Sequence, residues 1–283
     1  MDLGGNADGK LLMGDSNPGT VSIRPGGVGR NIACNLRLMG AEVSLITAFG
    51  GDTFAMELLK DCGKRGIDIG MSLVLPDMKS SMYLYVADRK GDMQMAVNDM
   101  GITDSISPKF LESRFERLNG FDAVVLDGNL PGESIKCVLD KCTVPVYADT
   151  VSAAKAGKFR GCAGKLRAVK PNKLEAEVLS GEDEPEKAAE ALLSEGTGRV
   201  FISMGSEGML AAEKGQMLKI PAQHMEDAVN TTGAGDAAAA AVVMADLQGL
   251  GLRETAELAV RAGAVTAAFS GTCSPDMADL FRK

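Results

Sequence analysis

Residues 227–245 read DAVNTTGAGDAAAAAVVMA. Gly233, Gly235 and Asp236 stand at the mouth of an alanine-rich run that predicts a helix. Glycine lets the backbone adopt positive φ and lets a ligand approach the chain closely. A helix that opens behind such a turn presents unpaired N–H donors and a partial positive charge, a ready anion hole. Asp236 falls in the first helical turn, where its ionised form is expected to be favoured. From there it can take a proton from a hydroxyl held opposite. Gly233, Ala234, Gly235 and Asp236 are therefore the candidate catalytic loop. Two other readings of it stand. One is a plain glycine turn with a capping acid. The other is the dinucleotide fingerprint G-x-G-x-x-G/A, matched by 233–238, but that motif needs an apolar strand before it, and PAQHMEDAVN (221–230) is a poor one. No G-x-x-x-x-G-K-[ST] occurs, which removes the P-loop.

Outward from the loop, strand-length apolar runs alternate with helical patterns. Strands are expected at 42–50, 122–128, 144–150, 166–172 and 199–205, and a helix at 53–66. KLEAEVLSG (173–181) and EPEKAAEALLSEG (184–196) read as further helices. Strands alternating with helices indicate βαβ units and a three-layer α/β/α core around a mainly parallel sheet. GTVSIRPGG (19–27) and SSMYLYVADRKGDMQMAVND (80–99) instead alternate like antiparallel strands, with a hairpin at DRKGD. They read as a small antiparallel β lid, with strands at about 15–25 and 80–99, or as a plain edge extension of the sheet. No linker or internal repeat divides the chain, so residues 1–283 are expected to form a single domain.

The bulk composition narrows the classes. The 283 residues are 45% hydrophobic and 24% charged with a formal charge of −8, as in a globular protein. Basic residues are interleaved with acidic ones, which argues against a nucleic-acid or membrane partner. The longest wholly apolar run, 237–245, is too short to span a bilayer. The six cysteines form no C-x-x-C pair and the one histidine is His224, so a zinc site is not expected. Scattered thiols suit the reducing cytoplasm, and MDLGGNADGK lacks the apolar centre of a secretory leader.

Four motifs, in order, resemble those of the ribokinase-like (pfkB) sugar and nucleoside kinases. NTTGAGDAAAA resembles the D-T-x-G-A-G-D signature. Residues 25–55, PGGVGRNIACNLRLMGAEVSLITAFGGDTFA, resemble the Gly-Gly signature with its helical Asn. VKPNKLEAEVLSG (169–181) is similar to K-P-N-x-x-E, and FISMGSEGML (201–210) to a strand and turn beside the nucleotide. The resemblance implies a roughly nine-stranded core, a lid over the sugar, ATP as donor with Mg²⁺, a monovalent cation such as K⁺ near the loop, and a primary sugar hydroxyl as acceptor. It makes Asp236 the base and Gly233–Gly235 the anion hole. It places Asn172, Ser203, Gly205, Gly208, Thr231, Gly233 and Gly235 at ATP, and Glu175 at the metal and its water. Asn172 and Glu175 also read as a capping box. Within the family, GDSNPGTVSIRPGGVGRNIACNL (14–36), MAVNDM (95–100) and DGNLP (127–131) look most like the pseudouridine kinases. Asp8, Asn17, Gly26, Gly27, Asn31 and Asn129 would then hold the nucleoside, and a homodimer through the lid is expected. The chain departs from the pattern at Asn230, where the family has an acid, at Ala238, where it has Phe, and before Asp8, where most of an apolar first strand is expected.

Overall fold

The computed structural model describes residues 1–89, 93–223 and 232–282. Thr231, Asn230 and His224 lie outside the described residues. The chain order is β1 (Asp2–Ala7), β2 (Gly19–Arg24), α1 (Val28–Leu38), β3 (Ala48–Gly50), α2 (Thr53–Lys64), β4 (Leu73–Leu75), β5 (Met82–Ala87) and β6 (Met93–Asp99). Next come α3 (Pro108–Glu112), α4 (Phe115–Leu118), β7 (Val124–Asp127), α5 (Gly132–Lys141), β8 (Val146–Asp149), α6 (Ala153–Ala156) and β9 (Ala168–Lys170). The chain ends with α7 (Lys173–Ser180), α8 (Pro185–Ser194), β10 (Arg199–Ser203), β11 (Met209–Glu213), β12 (Gln216–Ile220), α9 (Ala234–Leu247) and α10 (Leu252–Ala267).

The main sheet has the order β12-β11-β10-β9-β8-β7. It is parallel from β7 to β10 and antiparallel across β11 and β12. Its strands are near-continuous apolar runs because helices cover both faces. Ile135, Leu192, Val200 and Ile202 fill one side, and Phe201, Ala211 and the alanines of α9 fill the other. Full burial of a side chain the size of Leu or Phe contributes about 1.5–3 kcal/mol. Helix α9 is buried nearly all round, and its methyl-sized side chains let it pack closely against α10 and α1. No helix among the described residues is long and apolar enough to cross a membrane.

The lid is a separate four-stranded sheet, β2-β1-β5-β6. Its β2, β5 and β6 fall within the alternating stretches. β1 joins them, antiparallel to β2 and parallel to β5, although DLGGNA has no apolar alternation. Gly4 is what fits it there, since a Cβ at that position would collide with the Tyr85 hydroxyl.

The core differs from the nine strands expected. β3 and β4 pair only with each other, and β7 ends the six-stranded sheet. Between these two blocks runs part of a cavity of about 1340 Å³, lined on one side by residues 43–49 and on the other by 121–126. The blocks face one another across it instead of joining.

Candidate active site

The site gathers at the N-terminus of α9. Gly233 precedes the helix at φ 87°, and a Cβ there would strike the Thr272 carbonyl at 2.6 Å. The first helical N–H to find an acceptor is that of Ala237, which donates to Gly233 O at 2.9 Å. The N–H groups of Ala234, Gly235 and Asp236 therefore have no partner inside the helix. They open the mouth of α9, where an anion hole is expected at Gly233–Gly235.

Asp236 is 8% exposed and lines the cavity. Asn31 on α1 donates from Nδ2 to its Oδ2 at 2.7 Å. The amide cannot flip freely, because its Oδ1 accepts from Thr272 Oγ1 at 3.1 Å and from the Arg30 guanidinium. Arg30 is held in turn by Asp61 (2.8 Å) and by the carbonyls of Pro25 and Gly26. Behind Asn31 the Cys273 thiol, hydrogen-bonded by Cys34, is drawn down to about 7.

The expectation that the ionised form of Asp236 is favoured is corrected here. Burial, and then the nearby Asp149 carboxylate, push its pKa up to about 7, against the Asn31 bond and Lys170, which favour the charged form. Desolvation outweighs the helix end.

Lys170 is the main addition to the predicted set. It ends β9, is buried, and pairs with Asp149 at 3.2 Å. Burial disfavours its charge, but Asp149, Glu175 and Asp236 outweigh that and hold its pKa above the usual lysine value. Its Nζ lies 3.4 Å from where a Cβ of Gly235 would sit. The ammonium thus stands directly behind the glycine loop. Asp149 also accepts from Val151 N–H at 2.8 Å. Val151 has φ 68°, the one described non-glycine residue at positive φ, and lines the cavity. A β-branched residue there signals backbone strain held at a site.

Asn172 and Glu175 form the predicted capping box at the start of α7. Glu175 is buried, accepting from Thr150 Oγ1 at 2.6 Å, Asn172 N–H at 3.0 Å and Asn172 Nδ2 at 2.7 Å. Ser203 bridges to Asn172 at the adjacent strand end. Gly205 (φ 61°) and Gly208 (φ 96°) shape the following turn, and a Cβ on Gly208 would meet Ile220 O at 2.0 Å. These residues continue the row of strand ends beyond Lys170 but do not line the cavity.

Of the predicted nucleoside contacts, Gly26, Gly27, Asn31 and Asn129 line the cavity with Asp236. Asn129 accepts from Lys155 Nζ at 2.5 Å. Asp127 accepts from the N–H groups of Gly29 (2.9 Å) and Asn129 (2.7 Å), and burial raises its pKa. The other two do not join them. Asp8 is exposed, in the turn after β1, and its N–H donates to Pro18 O. Asn17 spends its amide on its own loop, accepting from Leu12 N–H at 2.8 Å and donating to Leu12 O and Asp15 O. In their place the lid offers Asp2, whose carboxylate would collide with any Cβ on Gly26, together with Tyr83, Ala96 and Asn98. Asp127, Asp149 and Lys170 share one legible signal: each is a charged residue closing an apolar parallel strand, where α/β sheets bind ligands.

The chain has relatives among known proteins. The model of the pfkB family of carbohydrate kinases matches residues 1–279. The pseudouridine kinase of Escherichia coli (strain K12) is 33% identical, covering 98% of this chain and 90% of that protein. An uncharacterized sugar kinase of the same organism is 31% identical, covering 98% of this chain and 78% of the relative. The ribokinase of Thermotoga maritima superposes with a TM-score of 0.86 at 23% identity, covering 99% and 95% of the two chains.

Proposed function

The chain belongs to the pfkB family of carbohydrate kinases, and from that premise we propose that it phosphorylates the ribose 5′-hydroxyl of a nucleoside with ATP, pseudouridine being the favoured substrate. The observation that carries the reaction is the buried Asp236 carboxylate, steered by Asn31, beside three N–H groups that have no partner inside α9. Asp236 accepts the proton of the substrate hydroxyl as its oxygen becomes the nucleophile. The N–H groups of Ala234, Gly235 and Asp236, with the Lys170 ammonium, receive the negative charge of the transferring group. The ribose lies between Gly26–Gly27 and the lid residues Asp2 and Tyr83.

The loop fits a polyphosphate, since its donors are N–H groups and an ammonium and its glycines leave the approach open. ATP supplies the phosphoryl group, and Asn172, Ser203, Gly205 and Gly208 are proposed to hold its nucleoside end, with Thr231. Among the described residues no cluster of three or more His, Cys, Asp or Glu stands ready for a metal. That suits Mg²⁺ held chiefly by phosphates with one or two carboxylates, Glu175 and Asp149 being those beside Lys170.

Pseudouridine is supported by the 33% identical relative and by Asn98 and Asn129, which belong to the MAVNDM and DGNLP motifs and line the cavity. Asn98 is the proposed reader of the ring N–H that distinguishes pseudouridine from uridine, Asn17 being spent on its own loop. One such hydrogen bond contributes about 0.5–1.5 kcal/mol, roughly a two- to tenfold preference. The test is kcat/KM with ATP for pseudouridine, uridine, other nucleosides and free sugars. Preference for a free sugar, the reading favoured by the 31% identical sugar kinase, would replace the nucleoside while keeping the kinase. Binding without turnover would make the chain a nucleoside-binding relative.

A homodimer through the lid is proposed as well. The face of the lid away from the cavity carries Val21 (80% exposed), Ile23, Leu84, Met95 and Val97 (64% exposed), aligned across β2, β1, β5 and β6. Joint Leu84→Asp and Val97→Asp substitution is expected to give a monomer by light scattering. A parent already monomeric at micromolar concentration would dispose of the dimer.

A further inference from the structure

Three of the six cysteines meet behind the active site. Cys34 on α1, Cys62 on α2 and Cys273 after α10 pack into one small buried cluster with Ala33 and Ile67. Cys34 is fully buried and Cys273 is 7% exposed. The thiols of Cys34 and Cys273 hydrogen-bond one another. The Cys273 sulfur also lies 3.7 Å from Asn31 O, one turn before Cys34 on the same helix.

The charges around this pair are uneven. Arg30 and Arg65 both pair with the one carboxylate of Asp61, at 2.8 and 3.0 Å. One guanidinium charge is left over, and it stands at the thiols: Arg65 Nη1 donates to Cys34 Sγ at 3.0 Å. The Cys34 bond, then Arg30, Thr272 and Arg65, draw the Cys273 thiol down to about 7 against burial. The other five thiols are all raised. Cys273 is therefore the cysteine that carries thiolate at neutral pH, and the thiolate is the reactive form.

The link to the active site runs through Thr272. Its Oγ1 donates to Asn31 Oδ1 at 3.1 Å, and its carbonyl would stop a Cβ on Gly233 at 2.6 Å. Cys273 is the next residue. Two hydrogen-bonded thiols stand farther apart than the ~2.05 Å of an S–S bond. Joining the sulfurs thus draws α1 and the segment after α10 together. That displacement reaches Asn31, which steers Asp236, and the Gly233 turn that opens α9.

We infer that Cys34 and Cys273 form a peroxide-driven disulfide that switches the active site off, and that a dithiol reductant restores it. The Cys273 thiolate attacks one peroxide oxygen. The S–O bond forms as the O–O bond breaks, and the departing hydroxide takes up a proton and leaves as water. The Cys34 sulfur then attacks the sulfenic sulfur. The S–S bond forms, the S–O bond breaks, and the released hydroxide takes the Cys34 proton. Two thiols lose two electrons and one peroxide becomes two waters. Arg65 supports the second step by stabilising the charge that gathers on Cys34 as its proton leaves. Burial of both sulfurs restricts the oxidant to a small hydroperoxide. The bond itself is independent of the reaction catalysed, and its effect on turnover rests on the proposed kinase activity.

The test uses the full chain, reduced and then treated with hydrogen peroxide. Non-reducing peptide mapping by mass spectrometry is expected to show a Cys34–Cys273 link that dithiothreitol reverses. Hydrogen exchange at the Gly235 and Asp236 amides is expected to change at least threefold with the link. The kcat/KM is expected to fall at least tenfold and to recover on reduction. Cys62→Ser should respond as the parent does. Cys34→Ser should give no link and no recovery, its Cys273 passing on to the sulfinic acid. A map without the link, a link to Cys62 instead, or loop exchange unchanged by the link would overturn the inference, and so would unchanged turnover in an active chain. Mapping and exchange are read on the parent, so they decide the switch even where a variant does not fold. A reduced chain inactive on every substrate would fail the kinase proposal and leave that decision to the same two measurements.

Discussion

Replacing Asp236 by Asn separates the cost of the site from its use. The Asp236 carboxyl is raised from 3.8 to about 7. Each pKa unit corresponds to about 1.36 kcal/mol, so ionising Asp236 in the folded protein costs about 4 kcal/mol relative to the unfolded chain. The sign follows from proton binding. Between pH 4 and 7 the unfolded chain has released this proton while the folded one keeps it, so stability falls as pH rises through that window. Asparagine keeps the volume and an oxygen for Asn31 Nδ2, and it never ionises. Asp236→Asn is therefore expected to unfold like the parent near pH 3.5 and to be more stable by up to about 4 kcal/mol at pH 8.5. The same variant should bind ATP and lose about 10²–10⁴-fold in kcat, the range for a positioned base. Urea unfolding at the two pH values, beside steady-state kinetics, measures both. Equal stability of parent and variant at pH 8.5 would mean that the carboxyl is not held neutral by burial. Turnover near the parent's would remove Asp236 as the base.

Asn31→Ala removes the hydrogen bond that favours the ionised base, so the acid limb of the kcat/KM profile should move to higher pH; an unmoved limb would show that Asn31 does not steer Asp236. Lys170→Met strands the buried Asp149 and should cost about 3–5 kcal/mol of stability. Adding Asp149→Asn should restore stability in urea unfolding without restoring the KM for ATP, and recovery of both would make the pair purely structural.

What the sequence discloses is what short segments decide. The loop at Gly233–Asp236 is local: a glycine at positive φ, an acid in the first turn and a run of alanines. The capping box of Asn172 and Glu175 is local too, and both are found as expected. Strand 42–50 is legible as an apolar run, yet only Ala48–Gly50 enters a ladder, because partners at other positions set its length. β1 could not be read at all. Gly4 and Gly5 carry no pattern, and only the Tyr85 ring above Gly4 explains that glycine's place. The same reason displaces Asp8: where β1 lies in the lid decides which of its acids faces Gly26, and that acid is Asp2. Asp127, Asp149 and Lys170 are single charged residues in three separate strands, which only the parallel sheet order makes neighbours.

That neighbourhood sets a limit on the proposed chemistry, in which Asp236 is the base and the loop receives the phosphates. Asp149 already holds back ionisation of Asp236, and a polyphosphate at the loop adds negative charge nearby. Unopposed, it would push the Asp236 pKa above 7 and leave the base protonated when it is needed. The opposing charges must act at short range inside a buried site, where they are least screened. Lys170 meets that requirement from behind Gly235, and the α9 N–H groups meet it from in front. Asp149 keeps Lys170 charged and in place before the phosphate arrives. The carboxylate that weakens the base in the empty site is thus the one that holds the cation needed to restore it. Ionisation of Asp236 then depends on how completely the bound phosphates are neutralised, which ties the proton-accepting step to correct seating of the donor.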